Sequence, residues 1–270
     1  MNVTSADGTS IAYEAQGEGA PLIIVNGALS TKAGDLQAEL ADLLAPHFTV
    51  YGYDRRGRGD SGDTAPYAVA REIEDIEALI EQAGGTAFLF GHSSGGSLAL
   101  LAARALGPSR VSRVGAYEAP WNDDLAAQRA WAQYRAALDK MIAKGRRGDA
   151  VALFMRYVGA PAEQIEGMRQ TPIWASFEAL APTLRYDAEI LGSTGAVLTE
   201  PLSGVTVPAL VMCGDSSLPF MCVTAATIGR VVPDAEVVTL VGQSHAAQPA
   251  ALAPELIRFF GAAGKATRAA

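Results

Sequence analysis

Residues 88–101 read FLFGHSSGGSLALL and place two serines among small residues, between an apolar run and a helix-like run. Within them Gly91-His92-Ser93-Ser94-Gly95 has the form Gly-x-Ser-x-Gly. At a sharp strand-to-helix turn this pattern holds the central serine in a strained backbone conformation, and the glycines allow neighbouring backbone to approach. The helix that follows contributes a partial positive charge and free N–H groups. The segment therefore predicts Ser93 as a nucleophile and the Ser94 N–H as a donor to an oxyanion.

A serine nucleophile needs a base, commonly a histidine, and the chain contains three histidines. His92 adjoins Ser93 and is expected to point away from it, and His47 is expected to be a solvated loop residue. His245, in LVGQSHAAQP, follows the last predicted strand. Its loop then opens at the carboxyl edge of the sheet, where Ser93 also lies and where parallel sheets bind ligands. We expect His245 to be the base.

Apolar runs and helical periodicity predict the elements that position these residues. Asp7-Gly8 lies between two strand-like runs, 2–5 and 10–16, and this is a hairpin signal. Further strands are predicted over 21–27, 48–54, 86–91, 111–117, 207–214 and 235–242, and helices over 31–45, 71–84, 94–106 and 251–260. Their alternation predicts an α/β fold with a mostly parallel sheet covered by helices on both faces.

Residues 120–200 break this alternation, since they contain several helical patterns and no convincing strand. We expect them to form a helical lid over the Ser93 pocket, inserted into a core domain made of residues 1–119 and 201–262. A flexible tail is expected over residues 263–270. The candidate apolar walls of the pocket are the lid aromatics Trp121, Trp131, Tyr134, Phe154, Trp174 and Phe177.

Composition limits the classes of partner and compartment. Hydrophobic residues make up 49% of the 270 residues, enough for a large core, and the net charge of −8 disfavours nucleic acid and anionic membranes as partners. No secretory signal or run of about 20 apolar residues is visible. Cys213 and Cys222 are too few for a disulfide framework and suggest reduced thiols in a cytoplasmic protein, although the two could bridge. The oligomeric state is not indicated.

One further motif is a weak signal for a cofactor. Gly57-Arg58-Gly59-Asp60-Ser61-Gly62 satisfies Gly-x-Gly-x-x-Gly, but Pro66 intervenes before any amphipathic helix, so a dinucleotide site is not expected. No group of His, Cys and carboxylates has metal-ligand spacing. The sequence predicts neither a cofactor nor a metal.

Taken together, the motifs resemble those of the α/β-hydrolases. The resemblance runs from the opening DGTSIAYEAQGEGAPLIIVNG through YGYDRRGRGDS and GHSSGG to the late GQSH, and it leaves only residues 120–200 unmatched. It implies a twisted, mostly parallel sheet flanked by helices and a serine–histidine–acid triad. It does not identify a substrate.

The resemblance implies two places for the acid. The commonest family pattern has an aspartate three residues after the glycine that ends the penultimate strand, but that position is Ser217 here, and Asp215 is the nearby alternative. A second pattern places the acid after the strand that follows the nucleophile helix, where this chain has Glu118. Some haloalkane dehalogenases resemble it there, but their nucleophile is an aspartate. Zearalenone-type lactonases are a closer likeness, with a Ser-Ser-Gly elbow, a Glu-x-Pro sequence and a Gly-x-x-His turn. Glu118 would then orient His245 and stabilise its charged form.

The second donor of an oxyanion hole is expected in the loop after residues 21–27. Most relatives have His-Gly there, and this chain has Asn26-Gly27-Ala28. The resemblance implies the Ala28 N–H as donor, with Leu29 as the alternative. Asn26 is expected to brace the loop and to border the substrate.

These residues predict a cofactor-free serine hydrolase that cleaves an ester or lactone of a mid-sized apolar molecule. Two alternatives stay open. The scaffold also serves enzymes that hydrolyse carbon–carbon bonds or catalyse pathway-specific, non-hydrolytic reactions such as cyclisation. A ligand-binding protein with little turnover could also keep the same residues.

Overall fold

The computed structural model describes residues 1–261, apart from the side chains of residues 35 and 36, and its centre is an eight-stranded sheet. The strands lie in the order β1-β2-β4-β3-β5-β6-β7-β8, and β2 runs antiparallel to both of its neighbours, whereas the remaining pairs are parallel. Their bounds are β1 Asn2–Thr4, β2 Ser10–Gln16, β3 Ala20–Val25, β4 Phe48–Tyr53, β5 Ala87–His92, β6 Val111–Tyr117, β7 Ala209–Gly214 and β8 Ala235–Leu240. The predicted α/β fold with a mostly parallel sheet is confirmed.

Five helices cover the two faces of the sheet: α1 Asp35–Leu44, α2 Val69–Gln82, α3 Ser94–Leu106, α10 Pro219–Val231 and α11 Pro249–Gly261. In β3, Leu22 and Ile24 pack in the layer that contains α1 and α11, whereas Ile23 and Val25 pack in the layer that contains α2, α3 and α10. Because side chains alternate between the faces of a strand, a strand covered on both sides reads as a continuous apolar run. This is the reason that the central strands are visible in the sequence.

Helix α10 is the one flanking helix that was not predicted from the sequence. Its buried residues include Met221, Ala225 and Ile228 at helical spacing, and Pro219 stands at its first position, where proline is favoured. The apolar face of α10 was therefore visible in the sequence, shortly after the continuous apolar run of β7.

Six helices lie between β6 and β7, where no strand occurs, and we call residues 121–203 the helical insertion. They are α4 Leu125–Ala143, α5 Arg147–Tyr157, α6 Ala162–Arg169, α7 Ile173–Leu180, α8 Leu184–Ile190 and α9 Thr199–Ser203, with a 3₁₀ turn at Ala181–Thr183. The division into core and lid stays a prediction, and its expected flexible tail, residues 263–270, lies outside the described residues.

Cys213 and Cys222 form a disulfide, so the expectation of two reduced thiols is wrong. Cys213 lies near the end of β7 and Cys222 in the first turns of α10, and their Cα atoms are 5.2 Å apart, a separation that a disulfide requires. The bond closes a short loop over residues 213–222. The spacing of the two cysteines in the sequence does not show whether they are reduced or bonded. The sulfurs meet because the chain turns back after β7 and α10 packs against that strand.

Candidate active site

Ser93 lies at the turn between β5 and α3, with a backbone φ of 57°. The flanking glycines are required sterically, because a Cβ on Gly91 would overlap the Gly95 carbonyl and a Cβ on Gly95 would overlap the Val25 carbonyl. A side chain at Gly91 would push the first turn of α3 away from β5, and one at Gly95 would push it away from β3. The sequence thus folds into a tight elbow that presents Ser93 to a cavity at the carboxyl edge of the sheet.

His245 and Glu118 meet at the same edge. The Nδ1 atom of His245 lies 2.7 Å from Oε2 of Glu118, whose side chain is fully buried. Glu118 also accepts hydrogen bonds from the Gly214 N–H at 2.9 Å and the Ser217 hydroxyl at 2.8 Å. Burial raises the pKa of Glu118, but the three hydrogen bonds outweigh it and leave the pKa below its ordinary value. The carboxylate is therefore charged and oriented toward the imidazole.

The second nitrogen of His245, Nε2, is free for Ser93. Both side chains line the cavity, and no hydrogen bond joins Ser93 Oγ to His245 in this structure. Catalytic hydrogen bonds of this kind are often long before substrate binds. The arrangement places a serine, a histidine and an oriented carboxylate around one cavity.

The alternative acid, Asp215, does not reach His245. Its Oδ1 atom accepts a hydrogen bond from the Gly242 N–H at 2.6 Å and one from Ser216, so this exposed side chain stabilises the turn after β8. Ser217, at the position where the commonest pattern has an aspartate, donates its hydroxyl to Glu118. Where the commonest pattern has an aspartate, this chain therefore has a serine that binds the Glu118 carboxylate.

The backbone N–H groups of Ala28 and Ser94 have no acceptor among the described residues, and both residues line the cavity beside Ser93. Gly27 approaches Ser93 so closely that an added Cβ would lie 3.0 Å from the serine Cβ. Leu29, the alternative donor, has a φ of 54° and does not line the cavity. The N–H groups of Ala28 and Ser94 are therefore available to a ligand in the cavity, and their role as an oxyanion hole stays a prediction.

Backbone strain is concentrated at this site. Within residues 1–261 the non-glycine residues with positive φ are Leu29, Ser93 and Glu118, and each adjoins or belongs to the groups just described. A non-glycine residue in this region costs of the order of 1 kcal/mol or more and persists only where the surroundings enforce it. The fold therefore stores strain where the chemistry would occur.

The cavity in front of Ser93 has a volume of about 820 Å³ and largely apolar walls. Of the predicted wall residues, Trp131, Tyr134 and Phe154 line it. Tyr157 stacks on Tyr134 with ring centroids 4.6 Å apart and lines it as well, a residue not among the predicted walls. Leu218, Phe220 and Met221 of the β7–α10 region form the opposite wall.

Four predicted substrate-contacting residues lie elsewhere. Trp121 is fully buried, and its carbonyl accepts a hydrogen bond from Thr224 of α10. Trp174 and Phe177 belong to α7, which packs on α5 and α6 away from the cavity. The Asn26 side chain braces its loop, as expected, by donating to the Thr31 carbonyl at 3.1 Å and to Gln37, but it does not border the cavity. These four assignments to the cavity are corrected.

Two polar residues of the site were not found from the sequence. Asp187 of α8 lies in the cavity wall although its side chain is buried. His92 does not simply point away, because its Nε2 lies 2.9 Å from the His245 carbonyl oxygen and its ring lies 4.7 Å from the His245 ring. Loss of solvent and the neighbouring His245 lower the pKa of His92 to about 3, so the ring is neutral and donates from Nε2. The position of His92 next to Ser93 in the sequence was the signal that could have indicated this contact.

The described part of the chain gives no sign of a metal site or a membrane span. Among the described side chains no three His, Cys, Asp or Glu residues are grouped so that they could hold a metal ion. No helix within residues 1–261 is both long and apolar enough to cross a bilayer. The Gly57–Gly62 segment lies in the loop between β4 and α2, and α2 begins only at Val69.

Comparison with known proteins agrees with this architecture. The model of the Alpha/beta hydrolase family matches residues 22–255, which is most of the chain. This chain belongs to the alpha/beta hydrolase family. An alpha/beta hydrolase from Sphaerobacter thermophilus DSM 20745 is 46% identical to it and superposes with a TM-score of 0.86, over 96% of this chain and 100% of that chain. The membership supports a hydrolytic enzyme.

Two more distant structures of the family share the fold. The enol-lactonase from Burkholderia xenovorans LB400 is 21% identical, with a TM-score of 0.70, over 97% of this chain and 100% of that one. The esterase RhEst1 from Rhodococcus sp. ECU1013 is 22% identical, with a TM-score of 0.63, over 97% and 98%. At these identities the likeness concerns the fold alone. The narrower resemblance to zearalenone-type lactonases stays a prediction.

Proposed function

We propose that this alpha/beta hydrolase is a serine hydrolase that cleaves an ester or lactone of a mid-sized apolar molecule without a cofactor. The observation that supports it most directly is the 2.7 Å contact between His245 Nδ1 and the buried Glu118 carboxylate, at the cavity that Ser93 lines. That contact fixes the proton on Nδ1 and leaves Nε2 as the base.

The reaction would follow from these positions. Ser93 Oγ attacks the substrate carbonyl carbon while His245 Nε2 takes the hydroxyl proton, and the carbonyl electron pair moves onto oxygen. The resulting oxyanion accepts hydrogen bonds from the Ala28 and Ser94 N–H groups. Collapse of this intermediate expels the alcohol, which takes the proton from His245. Water, deprotonated by His245, then attacks the acyl-serine ester, and the same steps release the acid and restore Ser93.

The substrate class is inferred from the cavity. A volume of about 820 Å³ lies within the range of sites that enclose drug-sized ligands, and aromatic side chains from α4 and α5 line it. The fold is shared with an esterase and an enol-lactonase, which is consistent with carbonyl–oxygen bond cleavage. We further propose that the helical insertion acts as the lid of this cavity.

Covalent labelling tests the nucleophile. Wild-type protein treated with a fluorophosphonate should carry one adduct on Ser93, located by mass spectrometry of the digested protein. Ser93→Ala should carry none, and Ser97→Ala, which changes a buried serine one turn further along α3, is the matched control and should label like wild type. Folded wild-type protein without an adduct on Ser93 would contradict the proposal.

Turnover of p-nitrophenyl esters and lactones separates hydrolysis from the alternatives. Hydrolysis that is lost in Ser93→Ala supports the ester or lactone reaction. Labelling of Ser93 without turnover of any member of the panel would favour carbon–carbon bond cleavage, cyclisation or ligand binding on the same scaffold.

A further inference from the structure

Arg58 is a fully buried cation next to the proposed oxyanion hole. It belongs to the Gly57–Gly62 segment, to which no cofactor function was assigned, and about 1% of the residue is exposed. Its Nη1 atom donates to the Gly27 carbonyl at 2.5 Å, and its Nη2 atom donates to both carboxylate oxygens of Asp187, at 2.8 and 2.9 Å. Its Nε atom donates to the Thr183 hydroxyl at 3.1 Å. The guanidinium is therefore held on all three nitrogens.

The Gly27 carbonyl belongs to the peptide unit that carries the Ala28 N–H. The unit is planar and trans, so its N–H points opposite to its C=O. Because Arg58 holds the Gly27 carbonyl, the Ala28 N–H of the same peptide is directed away from Arg58, and it has no acceptor among the described residues. A charged donor on the carbonyl also polarises the peptide and strengthens its N–H as a hydrogen-bond donor.

Asp187 connects this arrangement to the other half of the oxyanion hole. Its Oδ1 atom accepts a hydrogen bond from the Ser94 hydroxyl at 2.8 Å, and Ser94 supplies the second free N–H. Arg55 donates to the same oxygen at 2.7 Å and to the Asn26 carbonyl at 3.1 Å. Arg55 is paired in turn with buried Glu72, so two buried cations face two buried carboxylates. Such a balanced network fixes geometry even where it adds little stability.

We propose that Arg58, held by Asp187 of the helical insertion, is the positioning residue of the oxyanion hole. This inference rests on the proposed serine-hydrolase function. Arg58 touches no substrate and acts through the Gly27–Ala28 peptide, and Asp187 fixes the distance from that peptide to Ser94. An interaction that strengthens only when the oxyanion forms lowers the barrier of the chemical step, with little effect on binding of the ground state.

The test compares Arg58→Met and Arg58→Lys with wild type, using p-nitrophenyl butyrate and a fluorophosphonate as probes. The Met variant removes the charge, and the Lys variant keeps a buried charge but loses the fork that holds Gly27 and Asp187 together. We expect kcat per folded molecule to fall roughly 10- to 100-fold, with KM changed by less than about threefold. The rate of Ser93 phosphonylation should fall in parallel, because its transition state also places charge on an oxygen at the hole.

Arg56→Met is the matched control. Arg56 lies in the same loop and is equally buried, but its guanidinium pairs with Asp75 and Asp7 and donates no hydrogen bond to the loop that carries Ala28. It should lower the melting temperature and leave kcat and the phosphonylation rate per folded molecule unchanged. Should Arg58→Met fail to fold, the double variant Arg58→Met/Asp187→Asn removes one cation and one anion together, so the remaining Arg55–Glu72 pair stays balanced. The double variant is expected to show the same loss in kcat.

The outcomes separate the two proposals. Wild-type protein that neither labels at Ser93 nor turns over esters overturns the function and this inference together. Wild-type protein that labels, with Arg58 variants that label and turn over at wild-type rates, overturns the role of Arg58 alone. A rise in KM with unchanged kcat also overturns it, since that pattern indicates ground-state binding.

Discussion

Glu118 provides the charge on which protonated His245 would depend in the proposed mechanism. Glu118→Gln keeps the size of the side chain and removes that charge, and the new amide N–H competes for the proton position at His245 Nδ1. We expect kcat on an ester probe to fall on the order of 10⁴-fold, as when the acid of a serine-protease triad is neutralised. Steady-state kinetics at equal folded fraction, checked by circular dichroism, measure the loss.

Asp215→Asn is the control for that prediction. Its side chain binds the Gly242 N–H, so the change should affect the turn after β8 and leave kcat near the wild-type value. The opposite result, with Asp215→Asn inactive and Glu118→Gln near wild type, would move the acid to Asp215 and leave Glu118 as a structural residue.

His92 should make the protein sensitive to acid. The pKa of His92 is about 3 in the folded chain, compared with an ordinary value of 6.5. Burial lowers this pKa most and the neighbouring His245 lowers it further, and the hydrogen bond to the His245 carbonyl and the charge of Glu118 oppose the shift only in part. Between these values the unfolded chain binds a proton that the folded chain does not, so the free energy of unfolding falls as the pH falls from about 6.5 toward 3. His92→Gln removes this contribution.

Melting temperatures of wild type and His92→Gln, measured between pH 4 and pH 7.5, test this. The stability that wild type loses on acidification should exceed the loss of the variant, and the exposed His47→Gln should behave like wild type. Parallel curves for wild type and His92→Gln would show that folding does not lower the pKa of His92.

The disulfide constrains the segment that carries one cavity wall and the Ser217 donor to Glu118. Closing a loop of ten residues stabilises a fold by about 2–3 kcal/mol in the chain-entropy model. Cys213→Ser/Cys222→Ser should therefore melt roughly 5–10 °C lower than the oxidised protein. Alkylation of the denatured, unreduced protein should detect no free thiol, and two modified cysteines at this stage would contradict the bond.

The tryptophans of the helical insertion differ in whether they border the cavity, so tryptophan fluorescence should report on a ligand bound there. Trp131 of α4 lines the cavity, whereas Trp121 and Trp174 do not. A cavity-bound fluorophosphonate adduct with an apolar chain should change the tryptophan fluorescence of wild type and of Trp174→Phe, and the change should be largely lost in Trp131→Phe. A response that survives in Trp131→Phe and disappears in Trp174→Phe would place the ligand elsewhere.

A second buried ion cluster joins distant parts of the molecule and is separate from the site. Arg56 links Asp7 in the β1–β2 turn to Asp75 of α2. Arg56→Met leaves the buried Asp75 carboxylate without its partner, which costs about 3–5 kcal/mol in comparable cases. Urea unfolding should detect the loss, and kcat per folded molecule should stay unchanged. A variant as stable as wild type would indicate that Asp75 is neutral in the folded protein.

Most of the predictions made from the sequence rest on patterns within short stretches of it. The central strands are continuous apolar runs because both faces of the sheet are covered, and the turn at Ser93 is defined by adjacent small residues. His245 was predicted from its place after the last predicted strand, and Glu118 from a family resemblance together with a strand end.

The features that were missed depend on contacts between distant parts of the chain. Asp187 meets Arg55 and Arg58 across 132 and 129 residues, and no spacing rule reports such a pair. Trp131 and Trp174 are equally apolar residues in amphipathic helices, so only the packing of α4 and α7 decides which one borders the cavity. The disulfide depends in the same way on the path of α10, which the sequence reading did not assign.

Glu118 stands one residue after β6, and the helical insertion begins three residues later. In relatives with the acid after the penultimate strand, recombination can exchange the insertion without touching the acid. Here a crossover upstream of residue 118 transfers the proposed acid and the proposed lid together, whereas a crossover between residues 119 and 121 transfers the proposed lid alone. Chimeras built for new substrate ranges therefore need their first junction inside this three-residue window. A natural exchange that begins upstream of residue 118 would therefore pass on the proposed acid together with the proposed lid.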